Sequence, residues 1–133
     1  MTEIYKWLAN DVFPDNGRGF FINIGNRDDT TEMLINNGWR GLFLREDVDI
    51  VQSPIDYEIP LIIELLYINA SNAYDLLKTF AFAQYFVKTI VVPPISLQIL
   101  MLLSHNSYTL VKQTKIHHYY LSNPYLEEYN ATT

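Results

Sequence analysis

Residues 19–44 read GFFINIGNRDDTTEMLINNGWRGLFL, and their pattern decides the fold. The run over 19–24 is aromatic and β-branched, which predicts a strand, and Gly25 stops it. The short run over 41–44 predicts a second strand, and the residues between the two runs predict a helix. A strand, a helix and a strand in this order make a compact βαβ unit, whose crossover is right-handed and whose strands are parallel.

Both ends of this helix carry local signals. Asp29 is followed three residues later by Glu32, which resembles a capping box, so we expect the Asp29 carboxylate to accept hydrogen bonds from first-turn N–H groups. The helix then runs to about Asn37. Gly38 supplies the left-handed residue that closes it.

The rest of the chain also alternates between strands and helices. Before the βαβ unit, the sequence predicts a lead-in helix over 3–12 and a turn at 14–17; after it, a polar connector covers 47–60. Two strands follow, over 61–68 and 87–92, and each precedes a helix: 73–80, capped by Ser71 or Asn72, and 97–104, capped by Ser96. The last predicted element is an antiparallel hairpin of strands 108–111 and 118–121. The order predicts an α/β sandwich with a mainly parallel sheet that ends in an antiparallel hairpin.

Length and composition set the organisation that we expect. The chain has 133 residues, which predicts one domain over 1–133. Within it, 1–18 form a lead-in helix and turn, and 123–133 form a flexible acidic tail.

Charge and cysteine content exclude several classes of protein. The net charge of −6 argues against a nucleic-acid partner, because a phosphate backbone would be repelled. The absence of cysteine excludes disulfides, cysteine-bound zinc and a thiol nucleophile. The longest apolar run, over 59–68, is interrupted by Glu64 and is far shorter than the roughly 20 residues of a membrane helix. With no signal-peptide pattern at the start, we expect an intracellular, cytoplasmic protein without a membrane partner.

Six segments, taken together, resemble the FkbM-type methyltransferases. They are Lys6-Trp7-Leu8, Val12-Phe13, the first-strand run over 19–25, the segment Asn37-Gly38-Trp39-Arg40-Gly41-Leu42-Phe43, the helix over 73–80, and Asn106-Ser107-Tyr108-Thr109-Leu110-Val111. The resemblance implies a Rossmann-like methyltransferase that uses S-adenosylmethionine on a hydroxyl or similar acceptor. It also implies truncation, because the family carries a further strand and helix where this chain has only the connector.

The positions that would hold S-adenosylmethionine depart from the family pattern, beginning with the first strand. The aspartate of the family's motif falls on Asn23, its first glycine is kept as Gly25, and its last glycine becomes Asp29. Asn23 therefore loses the charge, and Asp29 puts a side chain where the backbone should approach the ligand. Asp28 is kept, although it serves equally well as a loop or capping residue.

The later acidic positions have also changed. The second-strand acid, which accepts from the ribose hydroxyls, falls on Arg45, and arginine has no acceptor. Glu46 is a poor substitute because one step along a strand reverses the face. The family's acidic motif falls on residues 68–71, or with a one-residue slip on Asn69, and neither register holds a carboxylate. The acid after the next strand falls on Pro93.

The loss of these carboxylates predicts a non-catalytic methyltransferase-like domain, a pseudoenzyme, with no cofactor, no catalytic residues and no metal. Asn23, Gly25, Asp28, Arg45 and Asn69 are then vestigial positions. One alternative is an active S-adenosylmethionine-dependent enzyme with rewired ligands, which would need Asp28, Glu46 and Glu64 to gather around the ligand. Another alternative is a nucleotide- or phosphate-binding module that uses Arg45 and Arg27.

A domain without catalysis is expected to act through protein partners, with self-association as the leading case. The missing outer strand would leave a sheet edge at 41–44 that needs covering.

The tyrosines of the C-terminal part suit either an interface or packing over the sheet end; they are Tyr108, Tyr119, Tyr120, Tyr125 and Tyr129. His117 and His118 are adjacent where a predicted strand begins, so they are expected to point to opposite faces and not to chelate one metal; surface or hairpin positions are expected for both. The abundance of Asn, Ile and Tyr is typical of AT-rich genomes, so a viral assembly is one expected setting.

Overall fold

A six-stranded sheet organises the computed structural model, which describes residues 3–13, 19–45, 59–94 and 97–126. The strands are β1 (Phe20–Gly25), β2 (Arg40–Leu44), β3 (Ile62–Asn69), β4 (Phe86–Val92), β5 (Tyr108–Gln113) and β6 (His118–Ser122). Their order across the sheet is β2-β1-β3-β4-β6-β5. Strands β2, β1, β3 and β4 are parallel to one another, and β6 pairs antiparallel with both β4 and β5.

The helices cover both faces of this sheet. They are α1 (Glu3–Lys6), which continues as a π-helix (Trp7–Val12), then α2 (Asp29–Asn36), α3 (Ala73–Lys78) and α4 (Leu97–His105). The α1 and π-helix segment and α2 bury one face of the sheet, and α3 and α4 bury the other. The result is a three-layer α/β architecture with a mainly parallel sheet and a C-terminal antiparallel hairpin, as the sequence predicts. None of the helices in the described residues is long and apolar enough to span a membrane.

Alternation along β1 shows how the sequence divides between the two layers. Phe20, Ile22 and Ile24 contribute to the core beneath α3 and α4, whereas Phe21 contributes to the core beneath α1 and α2. Each of these four side chains is buried. A strand that buries both faces reads as a continuous apolar run, which is why residues 20–24 show no polar alternation.

Two details at the helix starts correct the sequence prediction. The N-cap of α2 is Asp28 and not Asp29: an Asp28 Oδ1 accepts from the Thr30 N–H at 2.9 Å, and Asp29 is the first helical residue. The helix α3 begins after Asn72, whose side chain makes no capping hydrogen bond, and ends at Lys78. The predicted cap Ser96, the turn at 14–17 and most of the connector lie outside the described residues.

The C-terminal part is docked where a flexible tail was expected. Residues 123–126 are helical, and Tyr125 donates its hydroxyl hydrogen to the Val12 carbonyl at 3.1 Å. The Tyr125 ring also lies 5.6 Å from that of Phe13. Tyr125 thus contacts the N-terminal segment through its ring and its hydroxyl, while residues 127–133 lie outside the described residues and the flexibility of the tail stays a prediction.

The C-terminal tyrosines pack inside the molecule. Tyr108, Tyr119 and Tyr120 are all buried, and Tyr125 is half-buried. Of the two expectations for these residues, packing over the sheet is correct and an exposed interface core is wrong; Tyr129 lies outside the described residues.

Strand β2 lies at one end of the sheet among the described residues, as expected for 41–44. It packs tightly on β1, because a Cβ placed on Gly41 would come within 2.4 Å of the Phe21 ring. The Phe21 ring in turn meets the Phe43 ring edge-on at 5.4 Å. Gly41 therefore leaves room for an aromatic pair that fastens the edge strand to its neighbour.

We predict that Gly41→Ala lowers the free energy of unfolding by about 1–3 kcal/mol, because the fully buried Phe21 ring has to move to admit the methyl group. Urea denaturation followed by circular dichroism measures this change. The control is Gln113→Ala at the exposed end of β5, for which we expect a change within about 0.5 kcal/mol. Equal stability of Gly41→Ala and the unmodified chain would contradict the described packing of Phe21.

Candidate functional site

The chain order of the strands defines where a ligand site would lie. From β1 the chain moves to one side, to β2, and the next described strand, β3, lies on the other side of β1. In open α/β sheets, ligands bind outside the carboxyl ends of the strands where the order reverses in this way. For this chain, that position is the junction of the loops that follow Gly25 and Asn69.

The two loops at this junction are hydrogen-bonded directly to each other. The Asn26 N–H donates to the Asn69 carbonyl at 3.1 Å, and the Asn69 side-chain amide donates to the Asn26 carbonyl at 3.1 Å. Gly25 makes this approach feasible, since its φ is +97° and a Cβ there would lie 2.3 Å from the Asn69 carbonyl oxygen. We call this pair of reciprocal bonds the Asn26–Asn69 clasp. In a ligand-binding sheet, a glycine at this position would let the ligand approach β1. In this protein, the space beside Gly25 is filled by the backbone of β3.

Asp28 is fully engaged within the protein. One carboxylate oxygen caps α2 through Thr30, and the other accepts the hydroxyl hydrogen of Tyr67 at 2.5 Å. Its backbone carbonyl accepts from the Thr31 hydroxyl at 3.0 Å. The carboxylate therefore serves as a helix cap and as a tie to β3, which is the structural role that its sequence position allowed.

Tyr67 and His117 complete a polar cluster with Asp28. The Tyr67 oxygen lies 3.2 Å from Nε2 of His117, which is in the turn before β6. Because the tyrosine hydrogen is donated to Asp28, we assign the remaining hydrogen bond to a donor N–H on Nε2. The cluster therefore links the β1–α2 loop, β3 and the β5–β6 hairpin at the carboxyl end of the sheet.

Burial controls the protonation of this cluster. It raises the pKa of the Tyr67 hydroxyl well above its usual value, and the neighbouring Asp28 raises it further. It lowers the pKa of His117 below 6.5, a change that the negative charges of Asp28 and Glu3 oppose only in part. At neutral pH the cluster thus holds a neutral tyrosine and a neutral histidine beside the carboxylate.

Sequence reasoning missed both Tyr67 and His117. Tyr67 belongs to the apolar run that predicts a strand over 61–68, and the sequence predicts only a surface or hairpin position for His117. Their contact joins positions that are 50 residues apart in the chain. One signal in the sequence could have identified Tyr67. It is a tyrosine near the end of a strand whose two faces are buried, and a buried tyrosine hydroxyl requires a hydrogen-bond partner.

Asn23 is completely buried at the corresponding level of β1. Its amide donates to the Tyr67 carbonyl at 3.3 Å, while its Oδ1 has no hydrogen-bond partner among the described residues. An aspartate at position 23 would place a carboxylate oxygen, which can only accept, against the Tyr67 carbonyl oxygen. It would also bury a negative charge. The amide is therefore suited to a contact between strands, and a carboxylate is not.

The two arginines that were candidates for anion binding lie at the same end of the sheet. Arg27 contacts Glu32 at 3.4 Å, and its guanidinium lies 3.6 Å from the centre of the Phe43 ring. Arg45 is exposed and directly follows β2. The first turn of α2 holds Asp29 and Glu32 in addition to the Asp28 cap, so negative charge already surrounds the helix start at which an anion would bind.

Glu64 lies at the other end of the sheet from Asp28. It accepts from the Phe20 N–H at 2.7 Å, and it pairs with Lys88 at 3.7 Å. Five residues of strand separate it from Asn69, a distance of about 16 Å. The described structure therefore does not bring Glu64 together with Asp28, and Glu46 lies outside the described residues.

In residues 3–13, 19–45, 59–94 and 97–126, no three acidic, histidine or cysteine side chains form a group that could hold a metal ion.

Comparisons with protein-family models, with curated proteins and with solved structures find no match for this chain. The family resemblance therefore stays a prediction.

We predict that the fold loses stability as the pH falls below about 6.5, in part through His117. Its folded-state pKa lies below the unfolded value of 6.5, so the unfolded chain binds the proton more tightly. The contribution is complete above pH 6.5 and is lost as the pH falls through the folded pKa. His117→Gln should therefore flatten the dependence of unfolding free energy on pH, measured by urea denaturation at each pH.

The control for this measurement is His105→Gln, which removes an exposed imidazole at the end of α4. We expect its pH dependence to follow that of the unmodified chain. A His117→Gln protein with an unchanged slope would contradict a neutral, buried His117.

Proposed function

We propose that this protein is a non-catalytic methyltransferase-like domain that acts through protein–protein contacts, including self-association, and that it does not bind S-adenosylmethionine. The observation that carries the proposal is the Asn26–Asn69 clasp. At the strand-order reversal, where a dinucleotide or adenosyl ligand binds in related architectures, the two loops donate to each other's carbonyl groups.

The strand order supports the Rossmann-like part of this proposal. A doubly wound sheet of order 3-2-1-4-5-6 that lacks its third strand begins with the order 2-1-4-5. The parallel part of this sheet, β2-β1-β3-β4, has that arrangement. The closing antiparallel hairpin agrees with the ending that the resemblance implies.

The chemistry of the vestigial positions supports the loss of cofactor binding. Asn23 is buried against a carbonyl, and Asn69 is occupied in the clasp. Arg45 cannot accept hydrogen bonds from ribose hydroxyls. Asp28 keeps its charge, but both carboxylate oxygens are engaged by Thr30 and Tyr67. A bound ligand would have to replace these internal contacts before it gained any of its own.

The two alternatives have weaker support. An active methyltransferase needs acidic groups around the ligand, and Glu64 lies at the opposite end of the sheet from Asp28. A phosphate-binding module needs a positive site, and Asp28, Asp29 and Glu32 surround the start of α2. Arg27 is also already engaged by Glu32 and Phe43, which reduces its availability to an anion.

Exposed apolar side chains support an interaction role. Leu97 and Met101 lie one turn apart on α4, with 68% and 63% of their surfaces exposed. The other exposed residues of α4 are Gln98, Ser104 and His105, so Leu97 and Met101 form a small apolar patch with a polar rim, which is typical of an interaction site. We propose a cytoplasmic setting for this assembly, whether in a host cell or a virion.

Thermal denaturation with and without ligand tests the proposal. A ligand present at about 100 times its Kd adds about 2.7 kcal/mol to the stability of the folded state. We expect no shift in Tm with millimolar S-adenosylmethionine or S-adenosylhomocysteine, and no heat of binding by calorimetry. Binding in the micromolar range would overturn the proposal in favour of the active enzyme.

Inorganic phosphate in the same assay tests the remaining alternative. The matched variant is Arg45→Gln, which removes the positive charge from an exposed position. A phosphate-dependent rise in Tm that disappears in Arg45→Gln would favour the anion-binding module, and we expect no such rise.

A further inference from the structure

We propose that the outer edge of β2 pairs with the same edge of a second copy of this chain, as antiparallel strands related by a two-fold axis. This inference rests on the proposed function, and it names the partner and the contact. The sheets of the two copies would become continuous through β2, which ends the sheet order among the described residues.

The hydrogen bonds of β2 determine which backbone groups face outward. The Arg40 N–H donates inward to the Gly19 carbonyl, at the start of the parallel ladder with β1. Backbone groups alternate in direction along a strand, so Arg40, Leu42 and Leu44 direct theirs toward β1. Gly41 and Phe43 therefore present their N–H and C=O groups to the outside. An edge of this kind is a template for another strand.

A two-fold axis and these outward groups restrict the register. In the register that we propose, Gly41 of each copy lies opposite Phe43 of the other copy. These two residue pairs are hydrogen-bonded, and they use all the outward N–H and C=O groups of Gly41 and Phe43. Leu42 then lies opposite Leu42 of the second copy in a non-hydrogen-bonded pair, where side chains approach most closely. Leu42 is half-buried in the single chain and would become covered on its open side.

The aromatic side chains suit this register. A phenylalanine opposite a glycine is a favourable cross-strand arrangement, because the ring covers the backbone that glycine leaves bare. On the inner side, the Phe21 ring already lies against Gly41. Phe43 of the second copy would approach the same glycine from the outer side, extending the edge-on pair of Phe21 and Phe43 across the axis.

The charges also suit it. Arg40 falls opposite Leu44 of the second copy, so like charges do not face each other across the strands. Arg45 falls opposite Trp39 of the second copy, next to the carboxyl end of helix α2. The last turn of α2 holds no basic residue. Arg45 of the second copy therefore meets no like charge there.

The opposite edge of the sheet is protected against such pairing. Strand β5 is interrupted by a bulge between Leu110 and Lys112, and Lys112 pairs with Glu3 at 3.3 Å. Bulges and lysines are common devices that prevent edge-to-edge association. In β2, neither device is present over Arg40–Leu44.

Single-cysteine variants test the contact, since the chain has no cysteine of its own. In the proposed register the Leu42 Cα atoms of two copies lie about 4.5 Å apart, within the range of about 4.4–6.8 Å that a disulfide spans. Under mild oxidation we expect most of Leu42→Cys to form a covalent dimer on a non-reducing gel. The matched control is Leu110→Cys, a half-buried leucine on β5 that packs on the same core. It should remain monomeric on the gel.

Light scattering of the unmodified chain and of Leu42→Lys provides the second measurement. We expect a dimer for the unmodified chain and a monomer for Leu42→Lys, because two lysines would then face each other, with circular dichroism confirming that the variant is folded. A dimer that survives Leu42→Lys, or equal cross-linking of Leu42→Cys and Leu110→Cys, would overturn the β2 contact while leaving a self-associating pseudoenzyme intact. A monomeric unmodified chain would overturn it as well, whether the edge is covered by another segment or by a different protein. Binding of S-adenosylmethionine would instead defeat the proposed function, independently of the cross-linking result.

Discussion

The close approach of β1 and β3 at their carboxyl ends is the constraint on which the rest of this site depends. It requires a residue without a side chain at Gly25, because the Asn69 carbonyl oxygen occupies the place where a Cβ would be. Once the strands are this close, the side-chain amide of Asn69 reaches back to Asn26, and the loops after the two strands are fixed to each other. The starting position of α2 and the orientation of Asp28 follow from that fixed loop.

The polar cluster above the sheet is a consequence of the same approach. Tyr67 is buried in an apolar layer, and its hydroxyl needs a partner in order to avoid the cost of an unsatisfied polar group. Asp28 and His117 supply that partner from two different loops. The Asp28 side chain also caps α2 through the Thr30 N–H, so it is held from two directions. Burial of the Tyr67 hydroxyl thus accounts for the contacts within the cluster.

Much of the fold could be predicted from the sequence because the segments are short and strongly patterned. The apolar run at 62–68 and the glycine at 38 mark their elements without tertiary information. The helix cap was displaced by one residue, from Asp29 to Asp28, since two adjacent aspartates offer the same local chemistry. The tyrosines at 119 and 120 were ambiguous, because tyrosine suits both a core and an interface, and only the pairing of β6 with β4 buries them.

The site was less predictable than the fold. The family resemblance marked Asn23 and Asn69 as altered positions and Gly25 as a kept one, but it did not predict the clasp that joins residues 43 positions apart. The contact between Tyr67 and His117 depends on where the final hairpin lies, and no local pattern encodes that position.

The hydrogen bond from Tyr125 to Val12 has a consequence for the way in which the chain is made. These residues are 113 positions apart, and the ring of Trp7 also lies 5.0 Å from that of Tyr119. The helix over 3–12 is synthesised more than 100 residues before its aromatic neighbours Tyr119 and Tyr125. We therefore expect this helix to remain undocked during translation, with its tryptophan accessible to chaperones until the hairpin has emerged.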